Sequence, residues 1–474
     1  MAEESAFSQS VRNHGPMSGS GKSIKTPFQK SLGNEVNMKS RGTKLWEKAK
    51  KIIPGGGQLL SKRAEMFLPS YWPAYYSKAR GSFVWDLDDK KYLDMSISGV
   101  GTCPLGFADP TVNAAVIQAV RKGNMATFNV PEEVELAELL CHIHPWAEMV
   151  RFGRTGGEAM AIAVRIVRAA TGKEKILFCG YHGWHDWYLS ANLAESSALD
   201  GQLLPGLDPA GVPRGLRKTS IPFFYNDIES FLRLIDRYDG EIAGVVMEPV
   251  RNFWPEDTFI KKIRTVTQAK RIPLVFDEVT SGLRMTSGGF HLKIGISPDI
   301  AVFAKALGNG YPIAAIIGKR AIMDAAQKTF ISSTYWTDKI GPVAALATLK
   351  KHRQLNVGAH LTAIGEMMQK GFKELAIDFG LNIQITGIPP LTHWHIEGPQ
   401  SALIHTLLAK RMLERGYLIS KSFAATYTHR PKHVQSYFAA LHEILGKLQS
   451  HIQAGTLEDF REGPDIHSGF RRLN

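Results

Sequence analysis

Long apolar runs and a secretory signal are both missing from this sequence. No stretch approaches the roughly 18 uninterrupted apolar residues of a membrane-spanning helix. The first 40 residues disperse Ser, Gly, Asn and Lys and lack the apolar core of a signal peptide. We therefore expect a cytoplasmic protein with no membrane partner.

Cysteines are also scarce, with 3 in 474 residues: Cys103, Cys141 and Cys179. An odd number in a long chain without an export signal argues against a disulfide framework and favours reduced thiols. The net charge is +13, but no run of five basic residues and no basic-aromatic alternation occurs. A solvated basic surface is thus favoured, and we predict no nucleic-acid partner.

The residue pattern divides the chain into four segments. Residues 1–42 are polar and rich in Gly and Ser, which is typical of a flexible arm. We interpret residues 43–80 as a segment that packs with the small domain, residues 81–341 as a large domain, and residues 342–474 as a small C-terminal domain.

Short β-rich runs alternate with helical stretches in the large domain, which begins with a hairpin at Val84–Asp94. The later runs are Lys175–Cys179, Gly244–Val250, Ile272–Val279, Asp299–Ala304 and Ile313–Gly318. This alternation predicts an α/β fold with a mostly parallel sheet between helices. The last helix carries an apolar stripe at Val434, Phe438, Leu441, Ile444, Leu445 and Leu448.

Two of these strands end in residues suited to chemistry. The carboxylates Asp277 and Glu278 lie near the end of the run Ile272–Val279. They would face a ligand crevice. The structural alternative is a helix-capping or salt-bridging pair. The next strand ends at Lys305. Burial there would lower the pKa of the amine and favour imine formation with an aldehyde, although an exposed charge is the plainer reading.

Two further motifs could bind a flat, phosphorylated ligand. Thr155-Gly156-Gly157 opens a helix and presents bare N–H groups to an anion, or is a simple N-cap. Tyr181 follows a strand and can stack on a heterocycle. His182, His185 and Asp186 suggest a metal, but no matching cluster completes a coordination sphere, so we predict none.

One phosphate motif is rejected. The stretch Gly19–Ser23 looks like the end of a P-loop, but Pro16 stands where the first glycine is required and no strand precedes it.

Together these segments resemble the fold-type I pyridoxal phosphate (PLP) enzymes, specifically the class III aminotransferases, and most closely glutamate-1-semialdehyde aminomutase. The resemblance runs from about Arg63 to about Ile444. The motifs that carry it, in family order, are Val84–Asp94, Leu105–Pro110, Thr155–Ala159, Tyr181–Gly183, Glu248-Pro249, Asp277–Val279 and Lys305.

The resemblance implies catalytic roles for two residues. Lys305 would hold PLP as a Schiff base and then carry the proton between substrate and cofactor, which passes through pyridoxamine phosphate. Asp277 would pair with the pyridine nitrogen and keep it protonated.

The resemblance also implies the remaining contacts. Tyr181 and Val279 would lie on opposite faces of the ring, and Glu248 would be a carboxylate beside it. The other cofactor contacts would be Thr155, Gly156, Gly157 and His182. Thr334 would reach the phosphate bound by a second subunit, which implies a homodimer with shared sites, and Arg63 would bind a substrate carboxylate.

The sequence departs from the aminomutase pattern at four places, and these changes alter the volume and charge expected around the substrate. The usual Ser-Gly-Thr reads Thr155-Gly156-Gly157, the active-site Trp is Val100, a Phe-Glu-Ala stretch is Phe423-Ala424-Ala425, and Ala191–Pro213 replaces the gating loop. We therefore predict an aminotransferase that takes a small amino donor and an oxo acceptor, such as a semialdehyde, an oxo-sugar or a cyclic ketone. The alternatives are a 2,1-aminomutase and a non-catalytic scaffold, which intact Lys305 and Asp277 disfavour.

Overall fold

The computed structural model describes residues 40–202 and 205–467. The rejected P-loop stretch and all but three residues of the predicted arm lie outside them, as do two residues of the segment that replaces the gating loop. Helix α1 (Arg41–Ile52) begins after Ser40, whose hydroxyl accepts a hydrogen bond from Thr43 N. The helix therefore includes Arg41 and Gly42, which the sequence assigned to the arm.

The predicted hairpin is present but belongs to a different sheet. Strands β1 (Tyr76–Arg80), β2 (Phe83–Asp86) and β3 (Lys91–Met95) pair antiparallel in order. The fourth strand of their sheet comes from residues 417–419 near the C-terminus, and it lies parallel to β3. The sequence placed this hairpin at the start of the large domain because a hairpin pattern does not show what its outer edge pairs with.

Seven strands form the largest sheet: β4 (Met149–Gly153), β5 (Lys175–Cys179), β6 (Ser220–Pro222), β7 (Ile242–Met247), β8 (Leu274–Asp277), β9 (Ile300–Phe303) and β10 (Ala314–Gly318). Their order is β4-β10-β9-β8-β7-β5-β6. Only β10 runs against its neighbours, so the mostly parallel sheet is confirmed.

Helices cover both faces of this sheet. The helices that follow α1 and have ten or more residues are α2 (Pro110–Arg121), α3 (Pro131–Ile143), α4 (Gly156–Thr171), α5 (Ile228–Arg237), α6 (Phe259–Ala269), α7 (Ile340–Gln354), α8 (Val357–Phe379), α9 (Ser401–Glu414) and α10 (Pro431–Ala454). Successive residues of β7 point to opposite faces of the sheet. Val246 packs in the core that contains α4, and Met247 packs in the core that contains α5 and α6. Both faces are therefore dry, which explains the uninterrupted apolar strands.

The C-terminal part adds a small sheet of β11 (Ile383–Thr386), β12 (Leu391–Ile396) and β14 (Ser422–Ala424), while β13 (Tyr417–Ile419) joins β3. One hydrophobic core links α1 to α8, α9 and α10, and Trp46 and Phe67 pack in the same cluster as Phe372 and Leu445. Within the apolar stripe of α10, Phe438 is only partly buried and Tyr437 is fully buried.

None of the helices within residues 40–202 and 205–467 combines the length and apolar character needed to cross a bilayer.

Asp299, which precedes β9, hydrogen-bonds to residues of three other segments of the large domain. Its carboxylate accepts two hydrogen bonds from Arg264, at 2.7 and 3.1 Å, one from Leu274 N and one from Lys319. Burial alone would raise the pKa of Asp299, but these hydrogen bonds outweigh it and lower the pKa. Because the folded pKa is depressed, the ionised carboxylate stabilises the fold above the unfolded value of about 4, and this stabilisation is lost as the pH falls.

We predict that Asp299→Asn lowers the free energy of unfolding by about 3 kcal/mol at pH 7, because Arg264 loses its buried partner. The deficit should shrink as the pH falls below about 4. Denaturant unfolding at pH 7 and at a pH below about 4 measures the loss in the free energy of unfolding. Asp239→Asn is the control, since Asp239 forms an exposed ion pair with Lys270 and its loss should change nothing measurable. Equal losses in both variants would contradict the prediction.

Candidate active site

Four parallel strands, β9, β8, β7 and β5, deliver their last residues to one edge of the large sheet. Asp277 ends β8, Glu248 follows β7, Tyr181 comes two residues after β5, and Lys305 comes two residues after β9. The carboxyl edge of such a sheet is where α/β proteins bind ligands. The structure therefore brings these four predicted residues to one edge.

Lys305 sits in a strained backbone conformation, with φ at 42°. Left-handed backbone in a residue other than glycine costs free energy and is concentrated at functional sites. Its Nζ donates a hydrogen bond of 2.8 Å to Thr280 Oγ1. Burial, followed by the positive charge of Arg251, lowers the pKa of the amine to about 8. Near neutral pH a useful fraction of this amine is therefore uncharged and nucleophilic.

Asp277 is buried and held through both carboxylate oxygens. Oδ1 accepts a hydrogen bond from Val279 N at 3.0 Å, and Oδ2 lies 2.8 Å from His182 Nδ1. The other ring nitrogen of His182 lies 3.1 Å from Cys179 O. Both ring nitrogens thus lie within hydrogen-bond distance of oxygen atoms. The arrangement fixes the direction of the Asp277 carboxylate.

Glu278 turns to the opposite side of the strand. Its carboxylate accepts hydrogen bonds from His291 N and Nδ1, each at 2.9 Å, and from the Ser281 hydroxyl. Burial alone would raise the pKa of Glu278, but the bonds from His291 and Ser281 outweigh it and lower the pKa. Trp146 Nε1 in turn donates to His291 Nε2. Glu278 is therefore committed to a structural network.

The predicted phosphate turn lies at the first residues of α4. Thr155 precedes the helix, and the Glu158 carboxylate accepts hydrogen bonds from Arg154 N and Thr155 N. A Cβ on Gly156 would lie 2.8 Å from Val279 Cγ1. Glycine is therefore required for Val279 to approach, and this contact joins the predicted ring-face residue to the predicted anion cradle.

Glu248, Tyr181 and Arg251 form a connected group. Arg251 Nη1 donates to Glu248 Oε1 and Oε2 at 3.0 and 3.2 Å, and Tyr181 N donates to Glu248 Oε2. The guanidinium carbon lies 5.6 Å from the centroid of the Tyr181 ring. Arg251 Nε is buried and has no hydrogen-bond partner among the described residues. A positively charged donor is thus held beside the predicted stacking residue.

Two predicted site residues lie on other segments of the chain. Thr334 is exposed at the start of a one-turn helix, and its loop is tied down by Asp338, which pairs with Arg154 at 2.6 Å. Arg63 packs its guanidinium beside Gly55 in the N-terminal segment. Their roles stay predictions.

Sequence reasoning missed Thr280, Arg251 and Arg284. Arg284 is 1% exposed and donates to the backbone carbonyls of Thr280 and Gly101. Thr280 and Arg284 lie in the stretch that follows Asp277, and Arg251 lies three residues after Glu248, so nearness to a recognised motif was the available signal. The described residues contain no group of three His, Cys, Asp or Glu that could hold a metal ion.

Sequence comparison gives one family over most of the chain. Residues 69–445 match the model for aminotransferase class-III. A 3-aminobutyryl-CoA aminotransferase from Cloacimonas acidaminovorans is 30% identical over 362 residues, covering 74% of this chain and 82% of the relative. A glutamate-1-semialdehyde 2,1-aminomutase from Nitrosopumilus maritimus is 32% identical over 403 residues, covering 80% and 92%.

Solved structures agree on the architecture. An omega-transaminase from Sphaerobacter thermophilus superposes with a TM-score of 0.75 at 26% identity, covering 86% of this chain and 97% of that one. The FumI protein of Sphingopyxis sp. MTA144, solved in its PLP internal aldimine form, has a TM-score of 0.79 at 24% identity and covers 87% and 98%. The second likeness concerns the fold alone.

We predict that Lys305 of the cofactor-free protein reacts with a trace amine-acetylating reagent half-maximally near pH 8, because only the neutral amine is nucleophilic. Lysines in water titrate at about pH 10.4, so the reactivity of exposed lysines should still be rising at pH 8. Mass spectrometry of the labelled peptides measures both. The Lys370 peptide, whose side chain is 77% exposed, is the internal comparison. Parallel pH profiles at Lys305 and Lys370 would refute the low pKa.

Proposed function

Since the chain belongs to the class III aminotransferases, a family of PLP enzymes, we propose that it transfers an amino group from a small donor to an oxo substrate, with Lys305 and Asp277 as the catalytic residues. The observation that carries this proposal is the position of these two residues at adjacent strand ends, with a lowered pKa on the Lys305 amine. A nucleophilic amine beside a buried, oriented carboxylate is what an aldehyde cofactor with a basic ring nitrogen requires.

The described residues fit PLP at both of its ends. The first turn of α4 presents backbone N–H groups, and Gly156 leaves room there for Val279, since a Cβ would lie 2.8 Å from Val279 Cγ1. A helix N-terminus of this kind suits a phosphate. At the other end, the fixed carboxylate of Asp277 suits a protonated ring nitrogen. Bound PLP would supply an electron sink for the carbanion left when the substrate loses a proton.

The side chains then have separate tasks. Lys305 would hold the cofactor and would move the substrate proton as a general base and acid; burial lowers the pKa of its amine to about 8 in the cofactor-free chain. The Thr280 hydroxyl orients the amine. Asp277 would hold a proton on the ring nitrogen, and His182 keeps the Asp277 carboxylate in place. Glu248 fixes the backbone of Tyr181, which would stack on the ring.

The acceptor is an oxo compound of the semialdehyde, oxo-sugar or cyclic ketone class, and we favour one that carries an anionic group. Arg251 supports this choice because its guanidinium lies beside Tyr181 with Nε unpaired among the described residues. Arg63 is a second candidate for a substrate carboxylate. An aminomutase reaction is the alternative, which the 32% identity to the Nitrosopumilus maritimus enzyme favours. A cytoplasmic location stays a prediction.

We also propose that the enzyme is a homodimer with shared sites. Thr334 is exposed within its own chain, and its neighbours Phe330 and Tyr335 are 84% and 70% exposed, so this loop presents apolar surface to a second copy. The Arg154–Asp338 ion pair anchors the loop close to the phosphate turn. A C2 contact through this region would bring each Thr334 to the partner's site.

Cofactor loading and donor dependence test the reaction. Wild-type protein loaded with PLP should show a visible absorbance band that amino donors bleach. Lys305→Ala should lack the band, and its turnover should fall by at least about 10²-fold, because the general base is gone. Each turnover should consume one donor, and acceptors with a carboxylate or phosphate should outperform uncharged analogues.

Two results would reject parts of this proposal. Absence of the band in wild-type protein with added PLP would remove the enzyme assignment. Catalytic product formation by the pyridoxamine phosphate form without any donor would replace transamination with the aminomutase reaction.

Co-expression of two impaired variants tests the proposed shared site. Lys305→Ala and Thr334→Val should each be impaired, but their mixed dimer should contain one site with both residues intact and recover up to about half of the activity. Sedimentation should show about twice the monomer mass of 52.4 kDa. Ser332→Ala, an exposed hydroxyl in the same loop, is the control and should behave as wild type. A monomer, or no recovery on mixing, would exclude sharing through Thr334.

A further inference from the structure

His185 lies beside the phosphate turn, although no step of the proposed reaction uses it. A Cβ on Gly157 would lie 3.1 Å from His185 Nδ1 and 3.3 Å from its Cε1. One edge of the imidazole therefore occupies the space beside residue 157, where a larger residue would place its side chain. The second residue of the helix is bare because a ring from another segment comes close to it.

Two glycines allow this approach. Gly183 has φ of 101°, and a Cβ there would lie 2.9 Å from Gly157 Cα. The segment after β5 thus passes almost in backbone contact with the first turn of α4. Trp184 stacks on His185 with ring centroids 4.4 Å apart and planes 30° apart, which limits rotation of the imidazole.

The nitrogen at this edge is unsatisfied. His185 Nδ1 is buried and has no hydrogen-bond partner among the described residues. Burial is the largest influence on the pKa of His185 and lowers it, while Glu158 and Asp186 act in the opposite direction. A buried polar atom without a partner is costly, so a partner from outside the chain would relieve the cost.

We propose that His185 Nδ1 donates a hydrogen bond to the phosphate of PLP and completes a cradle with the N–H groups of Gly156 and Gly157. This rests on the proposed function. A phosphate group has three strong acceptor oxygens, and α4, with 16 residues, offers its N–H groups and the positive end of its dipole. The imidazole adds a directed donor at the position where residue 157 itself has no side chain.

The test compares PLP with pyridoxal, which has the same aldehyde and ring but no phosphate. Both bind Lys305 in the same way, so the ratio of their affinities isolates the phosphate contacts. We expect His185→Ala to weaken PLP binding by about tenfold or more and to leave pyridoxal binding within about twofold. The phosphorus NMR resonance of the loaded protein should also shift.

Two further variants separate a lost donor from a damaged fold. His185→Asn retains a donor near the position of Nδ1 and should keep the preference for PLP to within a few-fold. Adding Gly157→Ser to His185→Ala places a hydroxyl in the vacated space and should restore part of the preference. The same Gly157→Ser in the presence of His185 should weaken PLP binding, because the new side chain would contact the ring.

The outcomes distinguish this inference from the proposed function. If His185→Ala weakens the binding of PLP and pyridoxal equally, or weakens neither, the proposed His185 contact is wrong. The proposed function would still stand in that case, provided that the wild-type protein binds PLP. Failure of the wild-type protein to bind PLP at all would overturn both.

Discussion

Backbone hydrogen bonds between the parallel strands β5, β7, β8 and β9 hold Tyr181, Glu248, Asp277 and Lys305 at one edge of the sheet. These residues are far apart in the sequence, and only the strand register makes them neighbours. Strands β7, β8 and β9 are buried along their whole length and β5 is buried beyond Lys175, so a slip in register would disturb the packing on both faces as well as separate the chemical groups. Stability and chemistry therefore depend on the same pairing.

Burial of charge is the second constraint at this edge. Asp277 and Glu278 are adjacent, yet alternation along the strand sends them to separate networks, one through His182 and the other through His291 and Ser281. Each buried carboxylate would be costly alone and is tolerated because hydrogen bonds surround it. Within residues 40–202 and 205–467 the amine of Lys305 hydrogen-bonds to a neutral hydroxyl, and burial lowers its pKa, so it is easy to deprotonate.

The sequence predicts the buried strands well because apolar runs of four to six residues have few alternatives; Lys175–Cys179 matches β5 to the residue. Motif residues at strand ends could be placed because strand polarity brings them to one edge. Partners from distant segments could not be foreseen. The hairpin of β2 and β3 joins β13, and Arg251 turns back onto Glu248 and Tyr181, because each depends on a tertiary approach that no local pattern records.

The two halves of the candidate site lie on different kinds of structure. Groups assigned to the cofactor are held by strand ends, by the first turn of α4 and by close glycine contacts at Gly156 and Gly183, where even one added carbon would collide. The residues assigned to substrate lie outside the sheet: Arg251 follows β7 in an irregular segment, and Arg63 lies in the N-terminal segment. Loops can change without disturbing the strand register. Relatives of about 30% identity are named for different substrates, which agrees with a division between strand ends that carry the proposed cofactor contacts and loops that carry the proposed substrate contacts.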